Sequence, residues 1–140
     1  MSLLKGEIKF GNKILNKNST RFFFKRYLKK NLSFNILNFK DKSKFEVLNP
    51  VKIDDFLEFN VEVDFIGSSI KEISLRSLEN LSKEESKNYE SWILSSVGND
   101  LNLKDDNWIK FKLKWGELNL KIIRNKEGVL ECLTVKIVYN

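Results

Sequence analysis

Between Leu57 and Phe65 apolar and polar residues alternate without a break, with Leu57, Phe59, Val61, Val63 and Phe65 in one set and Glu58, Asn60, Glu62 and Asp64 in the other. Successive side chains of a strand point to opposite faces, so this segment is committed to a β-strand with one face in a core and the other in water. Such a strand cannot stand alone, because its edges need partners and its apolar row needs a cover. Gly67-Ser68-Ser69 follows, and the chain returns through Ile73 and Leu75. A three-residue loop there sets Val63 opposite Ile73 and Val61 opposite Leu75, which keeps the two apolar rows together.

The flanking segments supply the partners and the cover. Gly11-Asn12, between Glu7–Phe10 and Lys13–Leu15, predicts a short opening hairpin. Asn18-Ser19-Thr20 offers cap oxygens to a helix running to about Lys30, whose Phe23, Phe24, Tyr27 and Leu28 form the side that docks on the sheet. Leu32, Phe34 and Ile36 alternate, Lys40 to Lys44 reads as a charged turn, and Phe45 with Val47 begins another strand ended by Asn49-Pro50. Ser82 and Glu85 make a capping box for a second helix, with Tyr89, Trp92, Ile93 and Val97 on one face and Gly98 at its end.

A closing meander is predicted over Trp108 to Trp115, Leu118 to Arg124 and Val129 to Tyr139, turning at Gly116-Glu117 and at Asn125 to Gly128. Those loops place Leu113 opposite Leu120, Leu120 opposite Leu133, Leu118 opposite Val135 and Glu117 opposite Lys136. The expected fold is α+β: an antiparallel sheet of two meanders and an N-terminal hairpin, with two helices packed on one face. With Pro50 the single proline and no linker-like stretch, residues 1–140 are expected to form one domain.

Composition narrows the chemistry more than it names a function. Eleven Phe, three Trp and three Tyr in 140 residues are enough bulky material for a core without staples. Histidine is absent, so Ser-His-Asp and Cys-His catalysis and the common histidine zinc sites are absent with it. Cys132 stands alone, which rules out an intrachain disulfide and fits a reducing compartment. No apolar run approaches the roughly 20 residues that cross a bilayer, and Met1 to Lys5 leads into an alternating segment, so a cytoplasmic location is expected.

Charge is arranged in blocks. Residues 1–53 carry 13 Lys or Arg against 3 Asp or Glu, residues 54–109 carry 5 against 13, and residues 110–140 carry 7 against 3. Either these blocks form separate patches that steer a charged partner, or they interleave in the fold and neutralise each other.

Two surfaces stand out as candidates for binding. On the first helix Arg21, Lys25, Arg26, Lys29 and Lys30 span one half of the wheel, and Phe22 falls in the middle of that arc. Cations around an aromatic ring can dock an acidic protein surface or grip phosphate while stacking a base; alternatively Phe22 packs under the opening hairpin and the cations only keep the chain in solution. The second candidate is the lysine face of the closing meander, Lys110, Lys112, Lys114 and Lys121, with Lys112 expected beside Lys121. Trp108, Ile123, Leu130 and Val138 share that expected face and are too apolar for a fully wet surface, so it is either covered by the fold or open as an interface.

Other motifs carry less. Ser68 lies three residues before Lys71, a spacing found in some acyl enzymes, but it falls in a hairpin turn without the companion motifs. Asp100 and Asn102 have the spacing of a calcium loop, yet Asp105 and Phe111 occupy the positions of its glycine and closing glutamate. Glu62, Asp64 and Glu72 should share a wet face with Asp64 opposite Glu72, either as a solvated acidic face or as a seat for a cation or a basic partner. Asn18-Ser19-Thr20, Asn31-Leu32-Ser33 and Asn80-Leu81-Ser82 match the glycosylation triplet, which is common by chance in an Asn-rich chain.

The order hairpin, helix, meander, helix, meander, with Trp108 to Trp115, Gly116 and a last strand ending Val135-Lys136-Ile137-Val138-Tyr139, resembles small α+β bacterial proteins such as polymorphic-toxin immunity proteins and the repeat unit of β-lactamase-inhibitor-like domains. The resemblance lies in element order over the whole chain and brings no functional positions with it. It implies a protein that acts by binding another protein. The expectation is therefore a non-enzymatic protein-binding module without cofactor or metal, using Arg21, Phe22, Lys25, Arg26, Lys29, Trp108, Lys110, Lys112, Lys114 and Lys121. A nucleic-acid-binding module built on the basic first helix is the alternative.

Overall fold

A computed structural model of the chain describes residues 3–98 and 108–140. Strand β6, Leu57–Ile66, is the segment picked out by its alternation, and it organises the sheet. One of its edges carries β7, Ser69–Ser77; the other is shared by β5, Val51–Ile53, along its first residues and by β4, Lys42–Val47, along its last. Outside β4 lies β3, Phe34–Phe39, and outside β5 lie β1, Ile8–Phe10, and β2, Lys13–Leu15. Beyond β7 follow β10, Leu130–Tyr139, then β9, Gly116–Arg124, and β8, Ile109–Leu113. Every pairing in this ten-stranded sheet is antiparallel. Strand predominates over helix within the α+β architecture.

The β6–β7 register is the predicted one, with Val61 opposite Leu75 and Val63 opposite Ile73, but it is reached differently. The connection is a two-residue turn, Gly67-Ser68, and Lys71 is the extra residue of a bulge that restores the count. Phe59, Val61, Val63 and Phe65 are buried, whereas Leu57 at the strand entry is only half-buried.

Helix α1, Arg21–Asn31, starts without the predicted side-chain cap. The Ser19 hydroxyl accepts from the Asn16 amide and the Asn16 side chain accepts from the Asn18 amide, so these oxygens shape the preceding turn instead. The Arg21 amide donates to the Ser68 carbonyl, which ties the helix entry to the β6–β7 turn. Phe24 and Leu28 are buried, and the Phe24 ring meets Phe10, Phe45 and Phe65. Phe23, expected in the core, is 66% exposed. Consecutive helical residues are about 100° apart, so three phenylalanines in a row cannot all face inward.

Helix α2, Lys83–Val97, opens on the predicted capping box: the Glu85 amide donates to the Ser82 hydroxyl and the Ser82 amide donates to the Glu85 carboxylate. Tyr89, Trp92 and Ile93 are buried, and both aromatic rings meet Phe59. The buried Ser86 hydroxyl donates to the Leu130 carbonyl, and Arg124 forms an ion pair with Glu90 at 2.9 Å, so α2 is also tied to β9 and β10.

The closing meander keeps its predicted strands but not its partners. β8 and β9 turn at Lys114-Trp115 rather than at Gly116-Glu117, so Ile109 lies opposite Leu120 and Leu113 opposite Gly116. In β9 and β10 Leu120 faces Val135, Leu118 faces Ile137, and Lys136 faces Asn119, each two residues from expectation. Both shifts are even, so apolar and polar rows stay on their own sides. A loop one residue longer than expected, Asn125 to Val129, supplies one residue of the second shift and a bulge between Leu130 and Cys132 the other; the bulge turns Leu130 into the core, where it is 1% exposed. The first follows from packing: the Trp115 ring lies against Gly6 and its indole N–H donates to the Leu4 carbonyl at 2.9 Å.

Gly116 is needed for close approach inside the strand, not for the turn. With φ of +153°, a Cβ at this position would lie 1.9 Å from the Val138 carbonyl oxygen. Replacing Gly116 with Ala should destabilise the protein by about 3 kcal/mol in denaturant titrations. Gly67→Asn, at a φ of +59° with open space around it, should stay within about 0.5 kcal/mol of wild type. Equal losses at the two positions would contradict this assignment.

Candidate functional site

Helix α1 and the polar face of the sheet hold the two predicted surfaces, and the structure treats them differently. Along α1, Phe22 is 66% exposed rather than packed under the hairpin, and its ring meets that of Phe23 edge to face, 5.4 Å between centroids. A shallow cavity of about 430 Å³ on one side of this pair is lined by Arg21, Phe22, Lys25, Arg26, Lys29 and Lys30. A smaller one of about 270 Å³ on the other side is lined by Lys13, Phe23, Arg26, Tyr27 and Lys30. None of Lys13, Lys25, Arg26, Lys29 and Lys30 forms an ion pair with a described residue.

Arg21 belongs to the fold more than to this surface. Its Nε donates to the buried Ser43 hydroxyl at 2.9 Å and its guanidinium sits over the Phe45 ring. Phe23 and Lys13, which sequence reasoning left out, join the site. The Phe22-Phe23-Phe24 run was the available signal for Phe23; for Lys13 there was none, because the β1–β2 hairpin is brought to α1 only by tertiary packing, including the bond from the Asn12 amide to the Tyr27 hydroxyl.

The lysine face of the meander is continuous with the acidic face of β6 and β7. Reading across the strands on the side away from the core, one row runs Asn60, Arg76, Thr134, Lys121, with Trp108 next. The neighbouring row runs Glu46, Glu62, Ser74, Lys136, Asn119, Lys110, and a third runs Lys44, Asp64, Glu72, Val138, Glu117, Lys112. The predicted contact of Lys112 with Lys121 is therefore absent: Lys112 lies opposite Glu117, and Lys121 opposite Thr134. Lys121 and Lys136 both reach over the Trp108 ring, 5.9 and 5.4 Å from its centroid, so Trp108 is held by the sheet. Lys110, Lys112 and Lys114 are exposed. On this face the charge blocks interleave, as the Lys44–Glu62 pair at 3.6 Å illustrates.

In the acidic strand pair Asp64 and Glu72 are half-buried and Glu62 is exposed. Asp64 lies opposite Glu72 as predicted. Burial pushes the Asp64 carboxyl above its ordinary value, Glu62 adds to the rise, and Lys44, Lys42 and Lys136 oppose it. Among the described residues no group of three or more His, Cys, Asp or Glu is arranged to hold a metal ion. Ser68 and Lys71 are separated in role, since the Ser68 carbonyl receives the Arg21 amide and Lys71 Nζ donates to the Tyr139 carbonyl. The Asp100 to Asp106 segment lies outside the described residues. No described helix is long and apolar enough to cross a membrane.

No protein-family model, no curated protein and no solved structure matches this chain.

A carboxyl raised on folding disfavours the folded state when ionised, and the cost disappears below its ordinary value of 3.8 and grows as pH rises through the folded value. Asp64→Asn should therefore melt at a higher temperature than wild type at pH 7, with an advantage that shrinks as pH falls toward 3.8. A variant less stable than wild type at pH 7, or an advantage independent of pH, would contradict the burial argument.

Proposed function

We propose that this chain is a non-enzymatic protein-binding module, of the kind that serves as an inhibitor or immunity protein in a bacterial cytoplasm, and that it docks an acidic partner surface through the outer side of α1. The observation that carries this reading is the Phe22–Phe23 pair, two rings each 66% exposed among five cations that find no acidic partner in the described residues. Aromatic anchors inside a charged rim are the usual anatomy of an interface hot spot. Unpaired cations around them speed the approach of an acidic surface and reject a basic one.

The reading takes both helices to lie on the apolar side of the sheet, since Phe24 meets Phe65 and Trp92 meets Phe59, two members of one β6 row. That leaves the outer side of α1 free to meet a partner. The lone Cys132 suits a reducing compartment. A single-stranded nucleic acid is the weaker alternative, because successive bases need open ring faces on which to stack. Phe22 and Phe23 meet at 79°, which makes a compact apolar knob instead.

Two probes separate these readings: a glutamate-rich peptide carrying leucine and tryptophan, and a single-stranded oligonucleotide of equal net charge. The peptide should bind the wild-type chain, and the pair of substitutions Phe22→Ala and Phe23→Ala should weaken it about tenfold or more, as should Lys25→Glu with Arg26→Glu. All four side chains lie outside the buried core, so thermal melts should match wild type. Oligonucleotide binding that exceeds peptide binding and is lost in the same variants would transfer the surface to nucleic acid; no binding of either probe would remove it.

A further inference from the structure

Three strands end the sheet with an edge unpaired among the described residues: β2, β3 and β8. Natural sheets protect such edges by shortness, charge or proline. β2 is three residues long, and β8, Ile-Lys-Phe-Lys-Leu, carries the exposed Lys110 and Lys112. β3 has neither protection. It runs Phe34-Asn35-Ile36-Leu37-Asn38-Phe39, six residues without a charge or a proline, and Leu37 and Phe39 are 56% and 70% exposed.

The direction of its backbone groups follows from the β3–β4 ladder. The Leu48 amide donates to the Ser33 carbonyl at 3.0 Å, which makes Ser33 and Leu48 a hydrogen-bonded pair. Bonded and non-bonded pairs alternate along an antiparallel ladder, so Asn35, Leu37 and Phe39 also bond inward to β4. Phe34, Ile36 and Asn38 then direct their N–H and C=O groups to the open edge.

We infer that a second copy of this chain joins the sheet here, β3 against β3, antiparallel about a twofold axis at Ile36. A twofold axis normal to the sheet keeps each face on its own side, so it admits only registers that pair residues of like face. With Ile36 opposite Ile36, Phe34 of each copy lies opposite Asn38 of the other, and every outward group of these residues meets its counterpart in about six backbone bonds. On the polar face Asn35 then lies opposite Leu37 of the second copy. Within the paired strands no like charges are brought together, and a neutral strand holds no charge code that would select a foreign strand over its own copy. This surface is separate from the exposed Phe22–Phe23 pair on α1.

Sedimentation equilibrium or light scattering of the full chain tests it, together with hydrogen exchange at increasing protein concentration. The mass should rise from the 16.5 kDa protomer to twice that value with concentration, and the Phe34, Ile36 and Asn38 amides should slow in parallel. Leu37→Lys, which gives β3 the protection β8 has, should raise the dimer dissociation constant about tenfold or more. Asn38→Pro, which removes only an outward N–H, should do the same, and both variants should keep the circular dichroism of wild type. A monomer at every concentration, a dimer that both variants leave unchanged, or open-ended aggregates without a dimer plateau would overturn the assignment.

Discussion

Everything in this fold leans on the two-sidedness of β6. Its apolar row meets Phe45 from β4 and Ile73 and Leu75 from β7, while Phe59 receives the rings of α2 and Phe65 receives Phe24 of α1. A one-residue slip anywhere along it would turn Phe59 and Phe65 to water and Glu62 and Asp64 into the core, at a cost no other contact here could offset. The bulge at Lys71 is the local adjustment that allows a two-residue turn to coexist with the required register. The same turn receives the Arg21 amide, so the placement of the first helix is settled at the end of the same strand.

What was legible in the sequence follows from how local each cause is. The alternation of β6, the capping box of α2 and the strands of the closing meander all rest on residues a few positions apart, and all were readable. Partners across the meander were not, because their register depends on Trp115 reaching back to Leu4 and Gly6 and on a bulge at the start of β10. β5 was missed because three residues, Val51–Ile53, carry too little pattern to separate a strand from a loop. Thr20 shows the limit of cap signals: the residue precedes the helix as expected, yet its hydroxyl is buried without a hydrogen-bond partner.

The candidate surfaces divide along the same line. The basic arc of α1 was visible from helical spacing, and the structure leaves most of it outside, with Arg21 drawn inward by Ser43 and Phe45. The lysine face of the meander was visible too, but only assembly of the sheet puts it on the same side as the carboxylates of β6 and β7, with β10 between. Net charge alone would have treated the two surfaces as equivalent. Cross-strand geometry sets Lys121 apart, gathered with Lys136 over Trp108, whereas Lys110, Lys112 and Lys114, like Lys25, Arg26 and Lys29, form no ion pair among the described residues; what distinguishes α1 is its pair of exposed rings.

The central claim is that the aromatic pair at the start of α1 faces water in the isolated protein. Hydroxyl-radical footprinting with residue-level mass spectrometry reads this directly, since adjacent phenylalanines on one helix differ only in access. Phe22 and Phe23 should be oxidised rapidly and Phe24, 4% exposed, slowly. Rates for Phe22 and Phe23 as low as that for Phe24 would mean that the protein covers this surface itself.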